Sequence, residues 1–211
     1  MSTTSDTSVG RRSGPETRAA IRQVALRLFT TQGYEATSMR QIAEILGIKK
    51  ASLYYHFAGK EDIVRSLFDQ RSSEAEQLLT WVSAQPRTAE LVRTAVLRWV
   101  ESFSADKLHG IRFLSANPLL LRTFAAQGGE QIGSALNTLA GTLVGLLPDA
   151  TAVDALQLRM ALLSINAAIE AAAAGDFTDE QILAAARNHA DVLVSALLAG
   201  PRGVSRPRTP S

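Results

Sequence analysis

The chain has 211 residues, of which 46% are hydrophobic and 20% are charged, a composition that allows a sizeable core. It contains no cysteine, which excludes disulfides, thiol catalysis and thiolate-bound zinc. The charge is uneven, since residues 1–60 carry nine Lys or Arg and four Asp or Glu, whereas residues 61–200 carry ten and sixteen. A basic end on an acidic body predicts that this end meets a polyanion; random scatter of surface charge is the alternative.

Neither end of the sequence predicts a leader or a membrane segment. Residues 1–13 are rich in Ser and Thr, include Arg11 and Arg12, and lack the apolar centre of a signal peptide. Residues 201–211 are rich in Pro and Arg and predict a disordered tail. The most apolar stretch, which contains Met160, falls short of a membrane span. We therefore expect a cytoplasmic protein with a flexible basic arm and no membrane partner.

The first predicted helix begins after Ser13. Ser13 and Glu16 have the spacing of a capping box, in which each side chain satisfies a backbone N–H of the other residue. Apolar residues then recur at helical spacing as far as Phe29. Gly33 supplies a stop signal, so the helix is predicted to end just before it.

Two short helices are predicted next. Ser38 and Gln41 form a second capping box, and Gly47 ends that helix after about two turns. The following helix ends at Phe57, and a longer one runs from Lys60 to about residue 84. Two short helices that meet at a tight glycine-containing turn, behind a supporting helix, have the helix-turn-helix layout.

The third predicted helix has two unlike faces. Leu53 and Phe57 are one turn apart and point to the core, whereas Ser52, Tyr55 and His56 lie on the opposite face. Hydroxyl groups, an imidazole and nearby lysines suit a DNA major groove, where they offer phosphate hydrogen bonds and apolar contact with thymine methyls. The alternative is that the tyrosines of this helix pack on a neighbouring helix.

Two consecutive segments carry a recognisable pattern: RAAIRQVALRLFTTQGYEAT and then TSMRQIAEILGIKKASLYYHFAGKEDIV. They contain Phe-x-x-x-Gly-Tyr-x-x-Thr-Ser, then Ile-Ala, then Leu-Tyr-Tyr-His-Phe-x-x-Lys. Over roughly residues 15–65 the pattern closely resembles the DNA-binding region of the tetracycline-repressor (TetR) family of bacterial regulators. Two positions depart from it: Ala58 replaces a frequent proline, and Gly59 replaces a frequent Ser or Asn cap.

The resemblance implies an all-α fold of about nine to ten helices. Residues 14–60 would form a three-helix helix-turn-helix DNA-binding domain, and residues 61–200 a larger helical ligand-binding and dimerisation domain. The residues that it implies at the DNA are Ser38, Arg40, Lys49, Ser52, Tyr54, Tyr55, His56 and, on a phosphate, Lys60. Lys50 is a plausible addition to this set. For the two arginines of the N-terminal arm, a minor-groove contact and a solvated tail are both open.

The rest of the sequence predicts helices at about residues 87–104, 106–115, 117–126, 129–147, 151–174 and 178–199. In the TetR family this region encloses a ligand pocket, and its last two helices bundle with those of a twofold mate. The pocket residues so implied are Trp99, Phe103, Phe113, Asn117, Phe124, Asn137, Met160 and Asn166. The dimer-interface residues so implied are Ala167, Ala171, Ile182, Ala186, His189 and Leu193. Ordinary core packing is the alternative for both sets.

Three functions compete at this point. The first is a ligand-responsive homodimeric transcriptional regulator, a repressor that binds a palindromic double-stranded DNA operator until an unknown, largely apolar small molecule releases it. The second is an enzyme, but the three histidines are far apart and no HExxH, P-loop, GxSxG or CxxC motif is present. We therefore expect no catalytic activity, cofactor or metal. The third is a helical carrier of hydrophobic molecules, against which the basic N-terminal motif argues.

Overall fold

The computed structural model of the chain describes residues 13–124 and 130–199, except for the side chains of residues 121, 124 and 130–133. The described residues form eleven α-helices and no β-strand, which confirms the all-α class. The helices are α1 Gly14–Thr31, α2 Met39–Leu46, α3 Lys50–His56, α4 Lys60–Ser83, α5 Ala89–Glu101, α6 Ala105–Ala116, α7 Pro118–Phe124, α8 Glu130–Val144, α9 Ala152–Leu162, α10 Ser164–Ala172 and α11 Asp179–Leu198.

The chain divides into two compact units, residues 1–64 and residues 65–211. The division falls inside α4, about one turn after the predicted boundary at residue 60. The predicted tail at 201–211 lies outside the described residues, as do Arg11 and Arg12 of the predicted arm.

The first unit is built by strong local signals. Both predicted capping boxes form, Ser13 with Glu16 at the start of α1 and Ser38 with Gln41 at the start of α2. Gly47 ends α2 at a φ of 64°, a left-handed conformation that glycine adopts without strain. The helices enclose a small apolar core that includes Ile21, Ala25, Phe29, Ile42, Leu53, Phe57 and Ile63.

In the second unit α11 packs on α5, α9 and α10. Arg93 of α5 donates a hydrogen bond of 2.8 Å from Nε to the carboxylate of Asp191 on α11. The core between these helices includes Val92, Val96, Leu139, Leu143, Leu158, Ala161, Ala190 and Val194.

The helix predicted over residues 151–174 is broken into two. The axes of α9 and α10 differ by 56°, with Leu163 between them. The carbonyl oxygen of Leu162 accepts a hydrogen bond of 3.0 Å from Trp99 Nε1, while the amide of Asn166 donates to the Leu163 carbonyl instead. The indole therefore takes a carbonyl that a continuous helix would need. No single described helix is long and apolar enough to cross a bilayer, and α9 and α10 reach that length only together across the bend.

Candidate functional site

The helix α3 presents tyrosines to water. Tyr55 is 86% exposed and Tyr54 is 45% exposed, whereas Leu53 and Phe57 are buried. The rings of Tyr55 and His56 meet edge to face, with 5.3 Å between their centroids. The predicted orientation of the helix is therefore confirmed, and the alternative in which both tyrosines pack on a neighbouring helix is wrong.

A concavity of about 450 Å³ on the first unit joins the starts of α2, α3 and α4. Among its lining residues are Ser38, Arg40, Lys50, Tyr54 and Lys60, all of them predicted to face DNA. Lys50 Nζ lies 5.6 Å from the centroid of the Tyr54 ring, within range of a cation–π interaction. Three cations around an exposed aromatic ring form a surface suited to an anionic polymer.

Two of these cations already have protein partners. Arg40 Nε donates to Glu44 at 2.7 Å, and the Arg40 side chain is 80% exposed. Lys60 Nζ donates to the carbonyl oxygen of Tyr34 at 2.7 Å and lies 4.5 Å from the centroid of that ring. Burial raises the pKa of the Tyr34 phenol, and Glu61, which accepts its hydrogen bond, adds to the rise. Lys60 thus fastens the turn after α1, a role that sequence reasoning missed because no pattern links residues 26 positions apart.

The second unit contains a cavity of about 560 Å³, within the usual range for small-molecule pockets. Its walls come mainly from α4, α5, α6 and α10 and are largely apolar. The guanidinium carbon of Arg71 lies 4.0 Å from the centroid of the Trp99 ring and 3.8 Å from that of Phe103. A cation is therefore held against two aromatic rings at the wall of the cavity.

Arg71 is a largely buried charge, since its side chain is only 14% exposed. It pairs with Glu74, whose carboxylate also accepts a hydrogen bond of 2.8 Å from Lys107 Nζ. Burial lowers the pKa of Arg71 to about 10, while the attraction of Glu74 opposes the shift. Arg71 therefore stays charged at neutral pH. Sequence reasoning missed it because an Arg followed by Glu three residues later is typical of an exposed helical ion pair.

Known proteins match the first unit most clearly. Residues 21–67 match the family described as bacterial regulatory proteins, tetR family. The HTH-type transcriptional regulator AcrR of Shigella flexneri is 38% identical over 63 residues, which cover 30% of this chain and 29% of AcrR. The first unit is therefore similar to the DNA-binding region of the TetR family.

Weaker similarity to known regulators extends into the second unit. The regulator SrpR of Pseudomonas putida is 28% identical over 153 residues, 63% of this chain and 72% of SrpR. The solved structure of NalD, the secondary repressor of the MexAB-OprM multidrug efflux pump in Pseudomonas aeruginosa, has a TM-score of 0.61 at 21% identity and covers 88% of this chain and 95% of NalD. The chain spans about a third of the length of the first curated relatives that it matches. These proteins are regulators, which agrees with the expectation of no enzymatic activity.

The remaining predicted DNA residues of the helix-turn-helix are exposed or half-buried. Lys49 is exposed at the start of α3, and Ser52 and His56 are half-buried along it. The carbonyl oxygen of His56 accepts a hydrogen bond of 2.7 Å from Arg18 Nη1, which fixes the end of the helix to α1.

Three of the predicted pocket residues line the cavity of the second unit, namely Trp99, Phe103 and Asn166. The α4 residues that line it, among them Phe68 and Arg71, were not predicted. They were missed because the periodicity of a long amphipathic helix does not distinguish a face on a cavity from a face on a filled core.

The other predicted pocket residues are not among those that line the cavity. Phe113 is buried in the protein interior, and Asn117 closes α6 by donating a hydrogen bond of 2.7 Å to the Phe113 carbonyl. Asn137 is exposed, and Met160 is 47% exposed on α9. The side chain of Phe124 lies outside the described residues.

The residues predicted at a dimer interface fall into two groups. Ile182 and Ala186 are buried in the core of their own chain, so neither offers a surface to a partner. The exposed or half-buried group comprises Ala167, Ala171, His189 and Leu193.

An unpredicted apolar stripe lies on α9, where Val153, Leu156 and Met160 are 62%, 58% and 47% exposed. They recur at i, i+3 and i+7, so they share one side of the helix; we call them the α9 stripe. On α11, Val192 is 67% exposed and follows the exposed His189 by one turn.

Proposed function

We propose that the chain is a ligand-responsive, homodimeric transcriptional repressor that binds a palindromic operator and leaves it when a small molecule fills the cavity. The exposed, lysine-flanked tyrosines of α3 carry this proposal. Large aromatic side chains are rarely left in water without a partner, and these stand beside cations on a helix-turn-helix. DNA is the partner that uses both features.

The proposed contacts with DNA are of two kinds, to bases and to phosphates. Ser52 and Tyr55 would reach base edges and thymine methyls in the major groove and so supply sequence preference. Lys49 and Lys60 would neutralise phosphates and supply affinity that does not depend on sequence. Arg40, at the start of α2, would contact the backbone beside the recognition helix.

The α9 stripe and Val192 support a homodimer. Exposed aliphatic side chains without polar tips suit burial against a second protein surface rather than contact with nucleic acid. A twofold interface would present two α3 helices to half-sites roughly 34–36 Å apart, or a multiple of that distance.

Helix α4 supports release by a ligand. It begins at Lys60, which we propose to contact phosphate, and continues to Leu67, Phe68 and Arg71 on the cavity wall. A ligand that binds better to one position of this helix would shift its start and lower DNA affinity. Coupling of about 1–3 kcal/mol is typical of such switches.

The test is a fluorescence anisotropy titration of labelled duplexes from around the chain's own gene, with scrambled duplexes of the same composition as controls. We expect at least about a thousandfold preference for one duplex over its scrambled form at physiological salt. Equal affinity for all duplexes would contradict sequence-specific regulation. A promoter fusion then separates repression from activation. Deletion of the gene raises reporter output if the protein is a repressor and lowers it if the protein is an activator.

A further inference from the structure

Arg71 Nη2 is a buried donor without a hydrogen-bond partner among residues 13–124 and 130–199. The other terminal nitrogen, Nη1, donates to Glu74 and lies 3.4 Å from Ser102 Oγ. A buried N–H of a charged group is costly to leave without a hydrogen bond, because burial has removed it from bulk solvent. Since Arg71 lines the cavity, an acceptor on a bound molecule can fill this role.

The polar end of the cavity carries more positive than negative charge. Arg71 and Lys107 share the single carboxylate of Glu74. Glu170 also lines the cavity, but it is exposed, so water screens its charge. The pair of cations beside Glu74 therefore favours one further negative charge close to Arg71.

The rest of the wall is mostly apolar, with Gln70, Ser115 and Asn166 as its uncharged polar side chains. Phe68, Ile111, Leu114, Leu136 and Ile165 are among the side chains that surround the 560 Å³ space. A bound molecule gains most from an apolar body that fills this volume and removes the wall from water. A compact polar part suits the single guanidinium nitrogen, Nη2, that is buried without a partner.

From this arrangement we infer that the effector is an amphipathic monocarboxylate, with an apolar chain or ring system among the aliphatic side chains and its carboxylate on Arg71 Nη2. The inference names the ligand class of the cavity and rests on the proposed function only for the consequence of binding. A neutral acceptor, such as an ester or an alcohol, would satisfy the hydrogen bond but leave the excess positive charge uncompensated.

Matched ligands test the inference on the unaltered protein. The probes are the carboxylate, the primary alcohol and the methyl ester of straight chains with eight to fourteen carbons. Binding is titrated by calorimetry and by tryptophan fluorescence, to which the cavity-lining Trp99 contributes. We expect the carboxylate to bind about tenfold or more tighter than the alcohol of equal length. Equal affinities, or no binding of any carboxylate in the series, would overturn the inference.

A variant assigns the preference to one side chain. Arg71→Gln removes the charge, so we expect it to abolish the preference for the carboxylate while the alcohol still binds. The matched control is Arg187→Gln, because Arg187 is 58% exposed, pairs with Glu101 and does not line the cavity. Retention of the preference in folded Arg71→Gln, checked by circular dichroism, would overturn the role of Arg71. If that variant fails to fold, the comparison of ligands on the unaltered protein still decides the ligand class.

Ligand binding and DNA binding are measured separately, so the two proposals fail in different ways. Carboxylate preference without any change in operator affinity supports the inference and contradicts the proposed release. Operator binding without carboxylate preference overturns the inference and leaves the regulator intact.

Discussion

Among the exposed surfaces that carry large side chains, the one on α3 and the one on α9 differ in their chemistry. The α3 surface carries tyrosines, which end in hydroxyl groups, and it has lysines beside them. The α9 stripe carries only Val, Leu and Met side chains. Exposure alone therefore does not identify a partner. The polar tips and cations of α3 suit hydrated DNA, whereas the aliphatic stripe suits a second protein surface.

The largest effect is expected from a charge placed in the α9 stripe. Leu156→Asp should convert the proposed dimer to monomers and abolish tight operator binding, because it buries an unpaired carboxylate twice in a twofold interface. Sedimentation equilibrium at micromolar concentration measures the change. Leu119→Asp is the matched control, since Leu119 is 77% exposed on α7, outside the stripe. An unaltered protein that is monomeric yet binds its operator fully would contradict the dimer.

The next largest effect compares the stability of variants on the buried and the exposed side of α3. Leu53 is fully buried, so Leu53→Ala should lower the free energy of unfolding by about 2–5 kcal/mol and weaken DNA binding as a consequence. Urea unfolding followed by circular dichroism gives the value. Tyr55→Ala on the same helix should change stability by less than about 0.5 kcal/mol. Similar losses in the two variants would mean that the two faces of α3 are not distinct.

Tyr55→Ala should instead affect recognition. We expect it to cost about 1–3 kcal/mol on the operator and much less on a scrambled duplex, because the ring contacts bases rather than phosphates. Anisotropy titrations on both duplexes measure this difference. Tyr55→Phe separates the hydroxyl group from the ring. A Tyr55→Ala variant that loses stability but keeps its operator preference would show that the residue belongs to the core.

The smallest expected effect concerns Lys60. Lys60→Ala should weaken operator and scrambled duplex alike and reduce the slope of log affinity against log salt by about 0.9 for each lost phosphate contact. Titrations at several salt concentrations give the slope, with Arg187→Ala as a control in the second unit. Lys60 also holds the Tyr34 carbonyl. A lower melting temperature with an unchanged slope would therefore mean that its role is structural.

The helices of the first unit and the exposed side of α3 were predictable from sequence. The capping boxes at Ser13 and Ser38 and the stop at Gly47 involve neighbours a few positions apart, so local sequence determines where α1 and α2 begin and end. The spacing of Leu53 and Tyr55 then decides which side of α3 faces water. What local sequence did not reveal is that Lys60 also holds the turn at Tyr34.

In the second unit, the positions of most helices were predictable, but the residues that line the cavity and the exposed stripe were mostly not. Sequence alone determined the all-α class, most helix bounds and the outward face of α3, because each depends on periodicity and on caps within a few residues. Tertiary structure decided that α9 and α10 are separate, since Trp99 takes the carbonyl of Leu162 from 63 positions away. It also decided that Arg71 is buried, because the rings of Trp99 and Phe103 reach it from another helix. Helical periodicity records which side chains avoid water, but not which distant residue covers them.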